Sequence, residues 1–190
     1  MKLSFTVDAD KGLIEPARQC LSPNRDARPP GEAPRLVVLH GISLPPGEFG
    51  GPHIERLFTN TLDWDAHPYF DEIRGLEVSA HLLVRRDGSL VQFVPFTERA
   101  WHAGDSCFRR RARCNDYSIG IELEGEDDVP YEDAQYAVLT PVLAALLRTY
   151  PAISVREIAA HSDIAPGRKT DPGPAFDWLR LYDGLNGQLA

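Results

Sequence analysis

The dipeptide Asp87-Gly88 constrains the fold of this chain more than any other short feature, because a β-prone run lies on each side of it. An Asp-Gly pair between two such runs is typical of the turn of a β-hairpin. We therefore predict antiparallel strands over residues 78–84 and 90–95. The chain must fold around a sheet that can accommodate this hairpin.

Further apolar runs predict three more strands, over residues 35–40, 118–123 and 158–161. Gly120 in the second of these runs indicates that a neighbouring backbone approaches closely. Helices are predicted over residues 54–59, 68–74, 132–150 and 177–185, and Pro141 predicts a kink or a break in the third helix. Strands interspersed with helices indicate a fold of the α/β class, a mixed α+β layer structure.

The length of 190 residues predicts one domain with a sizeable core. The net charge of −8 argues against nucleic acid or an anionic membrane as a partner, since few cations are available to neutralise phosphates. Four arginines between residues 109 and 113 are the local exception. They either hold an anionic small molecule or form a solvated basic loop.

The N-terminal residues lack the apolar segment of a secretory signal, and no run of about 18 apolar residues predicts a membrane span. The three cysteines are odd in number and show no Cys-x-x-Cys spacing. We therefore expect structural thiols in a reducing cytoplasm, not a disulfide framework or a thiolate metal site.

The segment over residues 161–173 carries three groups that bind metals or stabilise charge: His161, Lys169 and Asp171. Proline and glycine keep its backbone irregular, and catalytic groups often lie on such loops. A second imidazole, His40, ends the predicted strand over residues 35–40. Two imidazoles and one carboxylate can bind zinc and leave one position open for water. The sequence therefore predicts a zinc site of His40, His161 and Asp171, and histidines with only structural hydrogen bonds are the alternative.

Glu122 and Glu124 lie on one face of an otherwise apolar predicted strand. A glutamate is costly to bury there unless it has a partner. Glu122 is either salt-bridged or, near a metal, a general base with a raised pKa. Lys169 either stabilises an oxyanion or is a surface lysine.

Three aromatic side chains in the middle of the chain are further candidates. His81, in the first strand of the predicted hairpin, is a ligand, a substrate donor or an inner histidine with satisfied hydrogen bonds. Trp101 and His102 are adjacent and are typical of side chains that line a groove.

Several segments together resemble the AmpD family of 1,6-anhydro-N-acetylmuramyl-L-alanine amidases. They are residues 42–51, 78–81, 99–104, 113–116, 118–125 and 161–178, which follow in order with compatible spacing. The resemblance runs from about Leu21 to Trp178, so residues 1–190 are expected to form a single amidase domain. Within it, residues 1–20 are an N-terminal extension and residues 179–190 a C-terminal tail, neither covered by the resemblance. At Gly41 the chain departs from several members of the family, which carry asparagine there.

The resemblance implies the fold of the N-acetylmuramoyl-L-alanine amidases and peptidoglycan-recognition proteins, with a central mixed β-sheet flanked by helices. It implies a cytoplasmic hydrolase that cuts the amide between 1,6-anhydro-N-acetylmuramic acid and L-alanine of muropeptides in peptidoglycan recycling. The implied cofactor is Zn²⁺, held by His40, His161 and Asp171.

The resemblance also assigns roles to five other residues. Glu122 corresponds to the acid and base that activates water, and Lys169 to the group that stabilises the tetrahedral oxyanion. The implied substrate contacts are Arg113, Trp101 and His81. An anhydro-muropeptide is the implied partner, with no obligate protein partner, nucleic acid or membrane. Two alternatives stay open: an amidase for intact murein or ordinary muramyl peptides, and a metal-free module that binds muropeptides without cutting them.

Overall fold

The structure, a computed structural model, describes residues 3–189. The helices of this part are α1 (His53–Phe58), α2 (Asp133–Thr149), α3 (His161–Ile164) and α4 (Trp178–Leu189), with short 3-10 helices at Pro68–Ile73, Cys114–Asp116 and Val155–Glu157. The strands are β1 (Thr6–Asp8), β2 (Leu13–Glu15), β3 (Arg18–Gln19), β4 (Arg25–Ala27), β5 (Leu36–Ile42), β6 (Leu82–Val84), β7 (Leu90–Gln92), β8 (Glu98–Ala100), β9 (Cys107–Phe108), β10 (Arg111–Ala112), β11 (Ser118–Glu124) and β12 (Ile158–Ala160).

Six of these strands form one central sheet in the order β12-β5-β11-β6-β7-β3. The pairs β12–β5, β5–β11, β11–β6 and β3–β7 are parallel, whereas β6 and β7 are antiparallel. The sheet is therefore mixed, with helices packed against it, and the predicted fold class is confirmed.

The two long central strands, β5 and β11, are buried along most of their length, which explains their apolar sequences. Side chains alternate between the two faces of a strand. Val37 and Leu39 of β5 pack with α2 in the largest apolar cluster, whereas Leu36 and Val38 belong to a different cluster on the other face. His40 shares the face of Leu36 and Val38. This face carries the polar residues described below.

The predicted hairpin forms, but its first strand is shorter than the sequence indicates. β6 begins at Leu82, so residues 78–81 precede the strand, and β7 ends at Gln92. His81 still joins the sheet through backbone bonds, because its N–H donates to the Gly120 carbonyl at 3.0 Å and its carbonyl accepts from Phe93 N–H at 2.9 Å.

Of the two alternatives predicted at Pro141, a kink or a break, the break is wrong, because α2 continues from Asp133 to Thr149 as one helix. Proline removes one backbone hydrogen bond from a helix interior. Here Pro141 is buried in a helix whose neighbours Leu139, Val142 and Leu143 are wholly buried in the largest cluster, so packing offsets that loss.

Residues 3–20 contribute to the fold, although the resemblance found in the sequence begins only at about Leu21. β1 and β2 form a hairpin, and β3 pairs with β7 at the edge of the central sheet. In the described part of the chain, no helix combines the length and apolar character needed to cross a membrane.

Candidate metal centre and active site

Three neighbouring parallel strands end at one edge of the sheet and bring the candidate residues together. His40 near the end of β5 pairs with Glu122 of β11, and β12 beside β5 leads directly into α3, which begins at His161. Sites in sheets of this kind form outside the carboxyl ends of the strands. The topology therefore explains how residues 40, 122 and 161 meet.

His40, His161 and Asp171 present one atom each to a common point. The Nδ1 atoms of the two imidazoles are 2.9 Å apart, and Oδ2 of Asp171 lies 3.0 Å from Nδ1 of His161 and 3.4 Å from Nδ1 of His40. Gly41 N–H also points to this carboxylate oxygen, at 3.4 Å. The structure thus brings together the three residues in which the sequence predicts a metal site.

The spacing of these three atoms fits a zinc ion. They lie on a circle of radius about 1.8 Å, slightly less than the zinc–ligand distances of about 2.0–2.2 Å. One point just outside their plane is therefore within bonding distance of all three. Two nitrogen donors and one carboxylate also match the donor types that zinc selects, and three protein ligands leave a fourth position open.

Burial keeps His40 in the form that binds metals. Removal from solvent is the main reason that the pKa of His40 is lowered to about 4; Asp171 opposes this shift, and the nearby His161 adds to it. Burial raises the pKa of Asp171, but the hydrogen bonds from His161 and His40 outweigh it and hold that pKa below its usual range. A neutral imidazole and an ionised carboxylate are the states in which these side chains bind metals.

The outer nitrogens of both imidazoles have acceptors. If zinc occupied the common point, both Nδ1 atoms would bind it, and each ring proton would then be on Nε2. Nε2 of His161 faces the Ala103 carbonyl at 3.3 Å, and Nε2 of His40 faces Nδ1 of His102 at 2.9 Å. Nε2 of His102 in turn faces Oγ of Ser118 at 3.1 Å. Such outer hydrogen bonds fix the tautomer and orientation of histidine ligands.

The Glu122 carboxyl group lies beside this cluster, and one of its oxygens is buried without a hydrogen-bond partner among the described residues. The residue is 8% exposed, and this oxygen is Oε2. Burial raises the pKa of Glu122 well above its ordinary value, and the negative charge of Asp171 raises it further, whereas Lys169 lowers it. Of the two sequence interpretations, a salt-bridged Glu122 therefore has no support. Glu124, on the same strand face, is the glutamate that pairs with Arg85, at 3.4 Å.

The ligand cluster opens into a cleft of about 760 Å³. One group of its lining residues is apolar or aromatic: Leu57, Phe58, Tyr69, Ile73, Leu76, Val78 and Trp101. Another group is charged, with the acids Glu126, Asp127 and Asp128 and the bases Arg168 and Lys169. The cleft therefore suits a ligand that combines apolar surface with charged groups.

Two of the remaining predicted site residues line this cleft. Lys169 is exposed on the loop between α3 and Asp171, and Trp101 follows β8. His102, which the sequence indicated only as a groove residue, lines the cleft and also accepts the hydrogen bond from His40.

The structure does not bring the other two predicted substrate contacts to the cleft. His81 has no exposed surface and accepts a hydrogen bond from Gly120 N–H at 3.0 Å, which matches the alternative of an inner histidine with satisfied hydrogen bonds, so its contact with substrate stays a prediction. Its other ring nitrogen lies 3.2 Å from the guanidinium of Arg28 and 3.1 Å from the Glu98 carbonyl. Arg113 does not line the cleft; its exposed side chain pairs with Asp116 at 3.1 Å.

Two glycines near the site make room for side chains. A Cβ atom at Gly120 would lie 2.5 Å from the ring of His102, so the close neighbour is an imidazole and not the predicted backbone. A Cβ atom at Gly41 would lie 2.5 Å from the hydroxyl oxygen of Tyr131, which donates to the Pro172 carbonyl at 3.0 Å. The phenol thus occupies the space that a side chain at position 41 would need, and it holds the residue next to Asp171.

Sequence reasoning missed two residues that support the site. Arg28 is largely buried and donates to the carbonyls of Phe96, Asn115, Asp116 and Ser118, at 2.8–3.3 Å. Asn115 accepts from His102 N–H at 3.1 Å and from Ala103 N–H at 2.8 Å. Neither lies in a pattern that signals this role, because each acts on residues distant in sequence.

Comparison with known proteins agrees with this geometry. The family model described as N-acetylmuramoyl-L-alanine amidase matches residues 30–174. The 1,6-anhydro-N-acetylmuramyl-L-alanine amidase AmpD of Salmonella typhimurium is 60% identical over 172 residues, which are 90% of this chain and 91% of that protein.

Solved structures give the same result. A crystal structure of a selenomethionine AmpD derivative superposes with a TM-score of 0.91 at 56% identity, covering 94% of this chain and 98% of that one. The amidase AmiD of Escherichia coli, in a complex with the substrate anhydro-N-acetylmuramic acid-L-Ala-D-γ-Glu-L-Lys, has a TM-score of 0.58 at 32% identity, covering 83% of this chain and 60% of that one. These matches confirm the resemblance found in the sequence, and the chain belongs to the N-acetylmuramoyl-L-alanine amidase family.

Proposed function

We propose that this chain is a zinc-dependent amidase that hydrolyses the bond between 1,6-anhydro-N-acetylmuramic acid and L-alanine in muropeptides. One observation carries the proposal: three ligand atoms converge on one point beside a buried carboxyl group that lacks a partner. A purely structural cluster would not need Glu122 there, because burying an unpaired carboxyl group is costly.

The proposed ligands are His40, His161 and Asp171. When bound, zinc polarises the scissile carbonyl and lowers the pKa of a coordinated water to about 7. Glu122 accepts the proton of the attacking water and later delivers it to the leaving amine. Burial raises its pKa and so favours the protonated form that delivers the proton to the amine, whereas a cation at the proposed metal site would favour the carboxylate that accepts it.

Lys169 is the proposed oxyanion stabiliser. It lines the cleft, and its charge is felt at both Glu122 and His40. An ammonium group directed at developing negative charge stabilises a transition state more than a ground state. We therefore assign Lys169 to the tetrahedral oxygen and not to substrate binding alone.

The substrate is proposed from the names of relatives and from the cleft. Names of similar proteins specify the anhydro sugar, and the AmiD complex contains an anhydro-muramyl peptide. A cleft with both apolar and charged walls suits a sugar joined to a charged peptide. Trp101 is the proposed stacking contact, whereas Arg113 would have to reach the cleft by moving away from Asp116.

Cytoplasmic location and the absence of a protein partner remain proposals. In support of a reducing compartment, the three cysteines are free, and Cys107 is exposed. Immunodetection after cell fractionation tests the location, and recovery of the chain in the periplasmic fraction would overturn it.

The decisive experiment uses a synthetic anhydro-muramyl tripeptide with the purified full chain, with and without a chelator. Mass spectrometry should show free tripeptide and 1,6-anhydro-N-acetylmuramic acid, and the chelator should abolish the formation of both products until zinc is restored. Stoichiometric ligand binding without cleavage would instead indicate a recognition module. Equal rates on the reducing-end muramyl peptide would remove the specificity for the anhydro sugar.

A further inference from the structure

We propose that Asn115 is a positioning residue for the metal centre, because its side-chain oxygen holds the two residues that accept the outer hydrogen bonds of His40 and His161. The inference rests on the proposed zinc site. It concerns a residue outside the ligand set and outside the cleft lining.

The first branch runs through His102. Its Nδ1 atom accepts from Nε2 of His40 at 2.9 Å, which requires the proton of His102 to be on Nε2, where Oγ of Ser118 lies at 3.1 Å. A shift of His102 would therefore remove the acceptor that orients the His40 ring. The second branch runs through the Ala103 carbonyl, 3.3 Å from Nε2 of His161.

The two acceptors belong to consecutive residues that no regular element holds. β8 ends at Ala100, and residues 101–106 are irregular. Backbone outside helices and strands needs other partners to fix its position. Arg168 donates to the Ala103 carbonyl at 2.6 Å, but it belongs to the exposed loop between α3 and Asp171 and cannot fix this segment to the sheet.

Ser79 holds the backbone of Trp101, and Arg113 N–H donates to the Ser106 carbonyl, so the segment is fixed on either side of these two residues. Asn115 anchors the N–H groups of the two residues between them. Its single Oδ1 atom accepts from His102 N–H at 3.1 Å and from Ala103 N–H at 2.8 Å. Asn115 lies in the 3-10 helix Cys114–Asp116, whose carbonyls at residues 115 and 116 accept from the buried guanidinium of Arg28 at 3.3 and 3.1 Å. The anchor is thus fixed to the protein interior.

Packing around His102 makes the metal centre sensitive to this anchor. Gly120 of β11 faces the imidazole, and any larger residue would place its Cβ 2.5 Å from the ring. The ring is therefore confined between the strand and the cleft, and a change at its backbone moves Nδ1 away from His40. The carboxamide oxygen of Asn115 therefore contributes to the orientation of both proposed ligands.

The test compares Asn115→Leu with Asn115→Asp in the full chain. Leucine keeps the approximate shape and removes the acceptor, whereas aspartate keeps an oxygen that can accept both N–H groups. Zinc affinity, measured by competition with a chromophoric chelator, should fall about 10- to 100-fold in Asn115→Leu, as for other outer partners of metal ligands. The zinc affinity of Asn115→Asp should stay within about threefold of wild type, because the acceptor oxygen is kept; this difference corresponds to under about 1 kcal/mol.

Two further measurements separate positioning from folding. Thermal unfolding of the zinc-free variants reports the fold alone, and the visible spectrum of the cobalt-loaded protein reports ligand geometry. If Asn115→Leu does not fold, His102→Phe tests the His40 branch, because it keeps a ring and loses the acceptor; it should show the same loss of affinity.

The outcomes distinguish this inference from the proposed function. The inference alone would be overturned if the wild type binds zinc and Asn115→Leu has the same zinc affinity and the same cobalt spectrum as the wild type. Equal losses in Asn115→Leu and Asn115→Asp would also overturn it, since the acceptor would then be irrelevant. A wild-type chain that binds no zinc would overturn the proposed function first, and the inference with it.

Discussion

Glu122→Gln should stabilise the zinc-free protein at neutral pH while it abolishes hydrolysis. The Glu122 carboxyl is buried, its Oε2 lacks a partner, and the Asp171 charge is nearby, so the ionised form is unfavourable in the folded state. Glutamine has nearly the same shape without the charge. Both side chains leave a buried polar group unsatisfied, which costs about 1–3 kcal/mol, but only the carboxylate adds the larger cost of a buried charge, so we expect a gain on the order of 1 kcal/mol at pH 7.

The sign of the pH dependence follows from the raised pKa. Folding favours the protonated form of Glu122, so its contribution to stability is present below the pKa of the unfolded chain and is lost as the pH rises through the folded pKa. Over that interval the advantage of Glu122→Gln should grow by up to about 1.4 kcal/mol per pH unit. Zinc should reduce the difference in stability between the wild type and Glu122→Gln, because a nearby cation favours the carboxylate.

Urea unfolding followed by tryptophan fluorescence, with chelator present and the pH varied from 5 to 8, measures this difference. Glu126→Gln is the matched control, because Glu126 also lines the cleft but is half-exposed and hydrogen-bonded to Ser43 at 3.3 Å. Equal stabilities of wild type and Glu122→Gln across this range would refute the argument that Glu122 is held as an unfavourable buried charge. Hydrolysis by Glu122→Gln within tenfold of wild type would refute its role as the base.

Three other substitutions test the rest of the site. Asp171→Ala should lose zinc, measured by elemental analysis, and keep its circular dichroism spectrum, because the loop that carries Asp171 lies outside the central sheet. Global unfolding of this variant would indicate that the metal has a structural role. Lys169→Met should lower kcat about 10²- to 10³-fold at unchanged zinc content, and an unaltered kcat would exclude oxyanion stabilisation. Gly120→Ala should force the His102 ring from its place and cost about 1–3 kcal/mol in urea unfolding, whereas wild-type stability would show that the ring has room.

The fold was predictable where local signals were strong. Asp87-Gly88 gave the hairpin, and the apolar runs around Val37 and Ile121 marked the two central strands. The bounds were less predictable: β6 starts at Leu82 although the β-prone run begins earlier. The predicted break at Pro141 was wrong because local propensity carries no information about the packing that keeps α2 continuous.

Some residues of the candidate site could likewise be predicted from the sequence, and others could not. His40 lies near the end of a strand, His161 begins a helix directly after another strand, and Asp171 follows in an irregular loop, so a candidate metal site could be predicted from residue types and order. The role of Asn115 could not, because it depends on which backbone N–H groups meet its side chain after folding.

The geometry of the proposed metal centre predicts that the chain does not need the metal in order to fold. His40 extends from a strand buried between two others, and His161 begins a helix directly after the edge strand, so the sheet sets both positions. Burial holds His40 neutral with a pKa of about 4, and both imidazoles have acceptors on their outer nitrogens. Little reorganisation remains for binding, so most of the ligand–zinc free energy is available for affinity. In a small zinc module, by contrast, metal binding must also provide the free energy of folding.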